Sequence, residues 1–379
     1  MNDDKRKDIP LEGENAPGTV SGTPAPEALP ARKSSASRLL FVAFIVFCLG
    51  AVALTAIDEF SNPSGEKIPL SALNFNYLFA ALAAFAGLVA AESVKYYFMI
   101  KSATGERHPG IAYNVAVLGK YYDNITPLGA GGQPFQIFYL RRHDIPTGYA
   151  SAIPVAGFFG LQISFVLIAL VCFILNFRVT DLVALRIAAY FGLLMYLLLP
   201  GVMLLFTFWP GPVGGAIMKL LRIGAKLHII KDYDRTAEKV NASLSEYRES
   251  VLLMLKEKTL PWIVLGCSLL YEALLMSIPF FVLKAFGGSA SFFDTFTMSL
   301  YVYAAITCVP TPGNAGAAEG AFYTLFSSLQ PAYLFWGMLV WRFFSYYAML
   351  ILGVASIFAG YVRKKFSEKC AGKVRDDST

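Results

Sequence analysis

The sequence predicts an all-α polytopic membrane protein. Hydrophobic residues make up 56% of the 379-residue chain and only 15% are charged, whereas soluble proteins carry about 25% charged residues. Several apolar runs reach the roughly 20 residues that a membrane-spanning helix needs. Two strings rich in proline and glycine interrupt other apolar runs, which predicts broken helices at membrane depth. Together these features predict six full spans plus two broken re-entrant segments in an inverted-repeat arrangement.

The predicted spans are apolar runs separated by polar loops. They cover residues 39–57, 75–97, 149–177, 182–208, 260–283 and 331–361. Residues 1–37 are polar and rich in Pro, Gly and charge, which predicts a disordered tail. Residues 38–362 form the predicted transmembrane domain, and residues 363–379 form a basic tail.

The distribution of lysine and arginine predicts the orientation of the chain. The basic segments are residues 1–37, 95–107, 141–142, 210–259 and 363–379, and the loops poor in Lys and Arg are residues 58–73, 178–181 and 286–291. By the positive-inside rule, both termini and the other basic segments lie in the cytoplasm.

The two broken segments, residues 111–140 and 292–329, must then each enter and leave the membrane on one side. The first dips in from the cytoplasm and the second from outside, as an inverted repeat requires. Alternatively, each broken segment is two tilted full helices, which gives eight to ten crossings without moving either terminus.

The polar loop at residues 210–259 contains an apolar pattern with helical spacing. Its members are Val240, Leu244, Tyr247, Val251 and Met254, which predicts an amphipathic helix. Two interpretations are open. The helix lies on the cytoplasmic headgroups, or it packs under the membrane domain as an ordinary surface helix.

The two breaks share the frame T-P-x-x-x-G followed by a small residue. The first copy spans residues 126–132 and the second spans residues 311–317. Paired breaks, one in each half of a polytopic chain, point to a binding site near the bilayer midplane. A helix that restarts after a break presents free N–H groups that suit a phosphate or carboxylate. We therefore expect the breaks to lie close together and to line one cavity, although a kink for close helix packing is an alternative.

Four charged residues fall within apolar sequence: Asp123, Glu272, Glu319 and Arg342. Charge at membrane depth is costly, so such groups usually face a partner or a cavity. We expect Glu319 to pair with Arg342; a Glu272–Arg342 pair is the alternative. Either pair serves transport or only fixes helix packing. Glu319 also lies in a first helical turn, where the helix dipole stabilises an acid.

The predicted substrate-binding residues come from both breaks and their flanks. They are Thr126, Pro127, Gly129, Gly131, Gly132, Gln133, Arg141, Arg142, Pro312, Gly313, Asn314, Gly316, Glu319 and Arg342. Arg141 and Arg142 either attract a lipid phosphate or only set topology. No catalytic residue, metal site or cofactor is predicted, because the five cysteines and three histidines form no recognisable motif.

The two break strings resemble the hallmark motifs of a known family. They read P-L-G-A-G-G-Q-P-F-Q-I-F-Y-L at residues 127–140 and P-T-P-G-N-A-G-A-A-E-G-A-F at residues 310–322. The family is the lysylphosphatidylglycerol synthase transmembrane region, also called flippase-like, which is the membrane half of the bacterial multiple peptide resistance factor. The resemblance covers about residues 38–362. The chain departs from the family at Asn314 and Ala315, where glycine is typical.

The resemblance implies translocation of anionic or aminoacylated phospholipids, or a lipid-linked substrate, between the leaflets of a bacterial plasma membrane. It also implies resistance to cationic peptides, with membrane phospholipid and a separate lipid synthase as partners. Binding of nucleic acid is not expected, since the net charge of +6 lies in loops and tails. The oligomeric state is not predicted.

Many members of this family are named phosphatidylglycerol lysyltransferase, so that activity, or a role as membrane subunit of a separate synthase, is the alternative function. Lysyl transfer from tRNA needs a soluble catalytic domain, and only residues 362–379 follow Tyr361. We therefore expect no synthase activity from this polypeptide alone. A membrane scaffold without transport is a third hypothesis.

Overall fold

The computed structural model describes residues 73–176, 182–226, 232–307, 309–327 and 333–376. These residues fall within one compact unit, Gly50–Thr379. Three predicted segments lie outside the described residues: the tail at 1–37, the first span at 39–57 and the loop at 178–181. Of the predicted loop at 58–73, only residue 73 is described.

The described residues form helices and no strands. The α-helices are α1 (Phe75–Thr104), α2 (Pro109–Ile125), α3 (Gly132–Arg141), α4 (Thr147–Leu175), α5 (Val183–Phe208), α6 (Pro210–Lys226), α7 (Tyr233–Leu255), α8 (Leu260–Ala285), α9 (Phe292–Ile306), α10 (Ala317–Phe326), α11 (Leu334–Arg342) and α12 (Ala348–Asp376). Short 3₁₀ turns at Pro127–Gly129 and Pro312–Asn314 interrupt the chain at the two breaks, and a π-helical turn at Phe343–Tyr347 joins α11 to α12.

Five helical stretches in the described residues are long and apolar enough to cross a membrane. They are Phe75–Thr104, Gly148–Leu175, Val183–Phe208, Leu260–Ala285 and Leu334–Val362. Each coincides with one of the predicted spans, so the polytopic all-α class is confirmed. The first of them runs beyond the predicted end at residue 97. Lys95 was expected in the cytoplasmic segment 95–107, but it lies inside α1 and is fully buried.

The order of elements repeats in the two halves of the chain. The first copy is α1, α2, a three-residue 3₁₀ turn, the ten-residue α3 and the long helix α4. The second copy is α8, α9, a three-residue 3₁₀ turn and the ten-residue α10, followed by α11, the π-helical turn and α12 in place of one long helix. Three helices, α5 to α7, lie between the two copies. This agrees with the internal repeat that the matched sequence frames predict.

The two copies pack against each other. Helix α1 packs along its counterpart α8, the first 3₁₀ turn contacts the second, and α2 packs on α12. Small residues allow this approach. Gly353 in α12 lies so close to the ring of Tyr121 in α2 that a Cβ atom there would be 2.5 Å from it. The packing therefore places the two breaks side by side.

The basic loop at residues 210–259 folds as α6 and α7. The predicted amphipathic helix is α7, and it packs on α4 at the edge of the membrane domain. Leu244 is buried, and Arg248 Nε donates to the Thr207 carbonyl at 3.0 Å. The helix packing that one of the two interpretations predicts is therefore present.

Candidate functional site

The two breaks have the same backbone conformation at their centres. Leu128 has φ 56° and ψ 16°, and the equivalent Gly313 has φ 60° and ψ 18°. The next residues, Gly129 and Asn314, have φ 63° and 54°. Left-handed conformations suit glycine and are tolerated by asparagine. Asn314, which stands where glycine is typical of the family that the chain resembles, therefore adopts the same left-handed conformation as Gly129 in the first break.

Side chains of the chain itself close the first break. The Thr126 hydroxyl donates to the Tyr122 carbonyl at 2.8 Å and accepts from Gly131 N–H at 2.8 Å. Asp123 Oδ1 accepts from Gly132 N–H at 2.9 Å. The Gly131 and Gly132 N–H groups, expected to face an anionic substrate, are thus bonded within the protein.

An ion pair closes the second break. Glu319 Oε2 accepts from Gly316 N–H at 2.7 Å, and its Oε1 accepts from Arg342 Nε at 2.6 Å. Arg342 also donates to the carbonyls of Gly313 at 3.1 Å and Asn314 at 3.4 Å. Arg342 is buried and directly precedes the π-helical turn, a feature frequent at functional sites. Of the two predicted pairings, the structure forms Glu319–Arg342.

Tyr346 connects the second break to the first copy of the repeat. Its ring covers Gly313, where an added Cβ atom would overlap it. Its hydroxyl donates to the Asn124 carbonyl, in α2, at 3.5 Å. One tyrosine thus contacts both copies of the repeat.

A cavity of about 280 Å³ lies between the two breaks. Gly129 and Gln133 line it from the first break, and Asn314 from the second. Four acidic or basic side chains also line it: Glu92, Lys120, Asp123 and Glu272. The walls are completed by residues that include Pro154, Phe158 and Leu161 of α4. The cavity is the place where both breaks and several charges meet.

Among the residues that the structure describes, one ion pair involves a charge of the cavity. Lys95 lies 2.7 Å from Glu92 Oε2 and donates to the Gly157 carbonyl at 3.3 Å. Lys120 lies over the ring of Tyr271, with 5.0 Å from Nζ to the ring centroid. It attracts Glu92, Asp123 and Glu272 through space. Glu272 is 8% exposed and sits in the cavity wall.

The predicted substrate-binding residues have three different placements. Gly129, Gln133 and Asn314 line the cavity. The residues that form or close the breaks are Thr126, Pro127, Gly131, Gly132, Pro312, Gly313, Gly316, Glu319 and Arg342. Arg141 and Arg142 are exposed at the end of α3, where the Arg142 guanidinium lies 4.8 Å from the Phe138 ring centroid.

Sequence reasoning missed the cavity residues Glu92 and Lys120 and their neighbours Lys95 and Tyr271. The spacing of opposite charges along α1 and α2 could have identified these residues. Glu92 and Lys95 are three residues apart, as are Lys120 and Asp123, and residues at this spacing share one face of a helix. Two opposite-charge pairs within apolar helices indicate an internal polar site.

Comparisons with known proteins agree with the fold. A family model described as "Lysylphosphatidylglycerol synthase TM region" matches residues 38–353. A "UPF0104 membrane protein" of Archaeoglobus fulgidus is 26% identical over 260 residues, which is 66% of this chain and 76% of that protein. A protein of the same name from Methanothermobacter thermautotrophicus is 22% identical over 342 residues, 86% of this chain and 98% of the relative. No solved structure matches.

The family match covers the first break, the second break and every helix that lines the cavity. It extends over more than half of the chain. The chain therefore belongs to the family of lysylphosphatidylglycerol synthase transmembrane regions.

Proposed function

We propose that this protein moves the polar headgroup of a membrane lipid between leaflets through the cavity between the two breaks. The observation that carries the proposal is the cavity itself. Both breaks line it, and three carboxylates and one lysine line it as well. Burying charge at membrane depth is costly, and such residues mark pathways for polar substrates.

The balance of charge in the cavity supports an aminoacylated phospholipid as the substrate. Three carboxylates line the cavity, Glu92, Asp123 and Glu272, against one lysine, Lys120. When Lys95, which pairs with Glu92, is counted as well, three carboxylates still face only two lysines, and all three attract Lys120. A headgroup that carries both phosphate and ammonium would complement this set better than an unmodified anionic headgroup. The description of the matching family, which names lysylphosphatidylglycerol, points the same way.

The proposed location is the plasma membrane, with both termini in the cytoplasm. The basic segments support this orientation, and the repeated element order supports breaks that enter from opposite sides. Delivery of a cationic lipid to the outer leaflet would weaken the surface potential that attracts cationic peptides. A role in resistance to such peptides follows.

A vesicle assay tests the proposal. Purified protein is placed in vesicles that contain lysylphosphatidylglycerol in both leaflets, and a membrane-impermeant amine reagent is added outside. We expect labelling to continue past the outer-leaflet fraction, while protein-free vesicles stop there. Labelling that stops at that fraction in both samples would refute translocation. Supplying lysyl-tRNA and phosphatidylglycerol to the same vesicles tests the alternative, since new lysyl lipid would favour a lysyltransferase.

A further inference from the structure

A second cavity, entirely apolar in its lining, lies on the other side of α4. Its volume is about 340 Å³, within the range of roughly 300–1,000 Å³ typical of ligand pockets. Helix α4 contributes Ala156, Phe159 and Ile163, and α5, α7 and α8 complete the walls. The central cavity uses the other face of α4, including Phe158 and Leu161. The two cavities share no lining residue.

The rim of this apolar pocket has the features of a membrane interface. Phe208, Leu255 and Trp262 line the pocket and are 59%, 42% and 74% exposed. Trp209, next to Phe208 at the end of α5, is 60% exposed. Tryptophan is enriched where hydrocarbon meets headgroups. Exposed aromatic side chains at a helix end are the arrangement expected at the level of the headgroups.

Basic residues stand beside the rim. The turn between α7 and α8 contains exposed Lys256 and Lys258, with exposed Glu257 between them. Arg248 is fixed to the end of α5 by its bond to the Thr207 carbonyl. Helix α6, which follows Trp209, has three basic residues and no acidic one, and it exposes Leu220 and Ile223. A basic helix with exposed apolar residues is typical of an anionic membrane surface.

We infer that this pocket holds an acyl chain of an anionic phospholipid whose headgroup lies beside Lys256 and Lys258. The apolar lining matches the chain, and the two lysines match the phosphate. Each lysine near an anionic headgroup contributes about 1 kcal/mol, which corresponds to about a fivefold change in relative affinity. This site is separate from the proposed transport cavity, so it does not depend on the proposed function.

Quenching of Trp262 fluorescence tests the inference. The protein is placed in phosphatidylcholine vesicles that contain either acyl-brominated phosphatidylglycerol or acyl-brominated phosphatidylcholine at equal bromine content. Subtracting the signal of Trp262→Phe isolates the emission of Trp262. We expect stronger quenching by the brominated phosphatidylglycerol. The preference should fall about fivefold in Lys256→Gln and again in Lys258→Gln, and it should rise in Glu257→Gln.

Matched variants separate the pocket from general surface charge. Lys364→Gln with Lys365→Gln removes the same charge from the last helix and should leave the preference unchanged. Ala156→Phe and Ile163→Phe fill the pocket and should abolish the preference, whereas Leu170→Phe, an exposed position on the same helix, should not. The thermal unfolding midpoint of each variant verifies folding.

Three results would overturn the inference. The first is equal quenching of Trp262 by the two brominated lipids. The second is a preference that survives in both folded pocket-filling variants or falls equally in the Lys364 and Lys365 control. The third is no quenching by either lipid, which would mean that no lipid chain occupies the pocket.

Discussion

Arg342 at the end of α11 and Glu319 in the first turn of α10 form an ion pair that holds the second break in place. Arg342 Nε lies 2.6 Å from Glu319 Oε1, and the same guanidinium bonds to the Gly313 and Asn314 carbonyls. Glu319 in turn caps α10 through Gly316 N–H. The pair therefore satisfies backbone groups that the break leaves without helical partners, as a broken segment at membrane depth requires.

Removing either charge of this pair should destabilise the protein. In Glu319→Gln or Arg342→Gln the remaining charge is left in a buried site, at a cost of about 3–5 kcal/mol. Arg342→Lys should also be impaired, because an ammonium cannot replace the fork of guanidinium donors. The measurement is the thermal unfolding midpoint in detergent, together with lipid movement in vesicles.

The double variant provides the control for coupling. Glu319→Gln with Arg342→Gln should lose less than the sum of the two single losses, since neither charge is then stranded. Coupling of the two charges would be contradicted if the losses of stability added strictly and each single variant moved lipid at the parent rate. The pair would then have no part in holding the break.

Gly313→Ala should disturb the second break. The alanine Cβ would meet the Tyr346 ring, and φ is 60°, a left-handed conformation that costs an L-residue about 1–2 kcal/mol. We expect a lower unfolding midpoint and slower lipid movement. Gly266→Ala is the matched control, because nothing lies within 4 Å of its added Cβ atom. Equal behaviour of the two variants would contradict the structural requirement at Gly313.

The sequence alone predicted the breaks because their causes are local. Proline and clustered glycine interrupt a helix wherever they stand, and the repeated T-P-x-x-x-G frame marked both copies. The five described spans were predicted from apolar length for the same reason. Which pairs of charges meet depends instead on tertiary packing. The sequence predicts the Glu319–Arg342 pair only with a Glu272–Arg342 pair as its alternative.

The Glu92–Lys95 pair in α1 should be needed for stability. Both side chains are almost fully buried, at 3% and 0% exposure. Lys95→Gln should lower the unfolding midpoint strongly, because Glu92 is then buried without its partner. Glu92→Gln combined with Lys95→Gln should recover part of the loss. If Lys95→Gln unfolds at the parent temperature, the pair is not buried as described.

Lys95 also illustrates why the cavity was harder to predict than the breaks. A lysine near the end of a 20-residue apolar run is typical of a cytoplasmic boundary, and α1 extends to Thr104. Lys120 is held over Tyr271, a residue of α8 in the other copy of the repeat. Contacts of this kind follow from the packing of α1, α2 and α8, which a single sequence does not give.

The orientation in the membrane is tested by labelling single cysteines in a variant without the five native ones. By the positive-inside rule, Glu106→Cys should react only with reagent that reaches the cytoplasmic side. Ser289→Cys should react with an impermeant reagent from outside. Both native positions are exposed in the structure. Reversed labelling at either position would overturn the predicted orientation and the opposite entry of the two breaks.

The most direct test of the proposed function is the rate of lysylphosphatidylglycerol movement in vesicles for Glu272→Gln. Glu272 lines the cavity, is 8% exposed and attracts Lys120 together with Glu92 and Asp123. We expect lipid movement to slow at least tenfold, which corresponds to an increase of about 1.4 kcal/mol or more in the activation barrier. The unfolding midpoint should stay near that of the parent protein. Glu106→Gln, which removes an exposed carboxylate, should move lipid at the parent rate. Parent-rate movement by Glu272→Gln would contradict passage of the headgroup through this cavity.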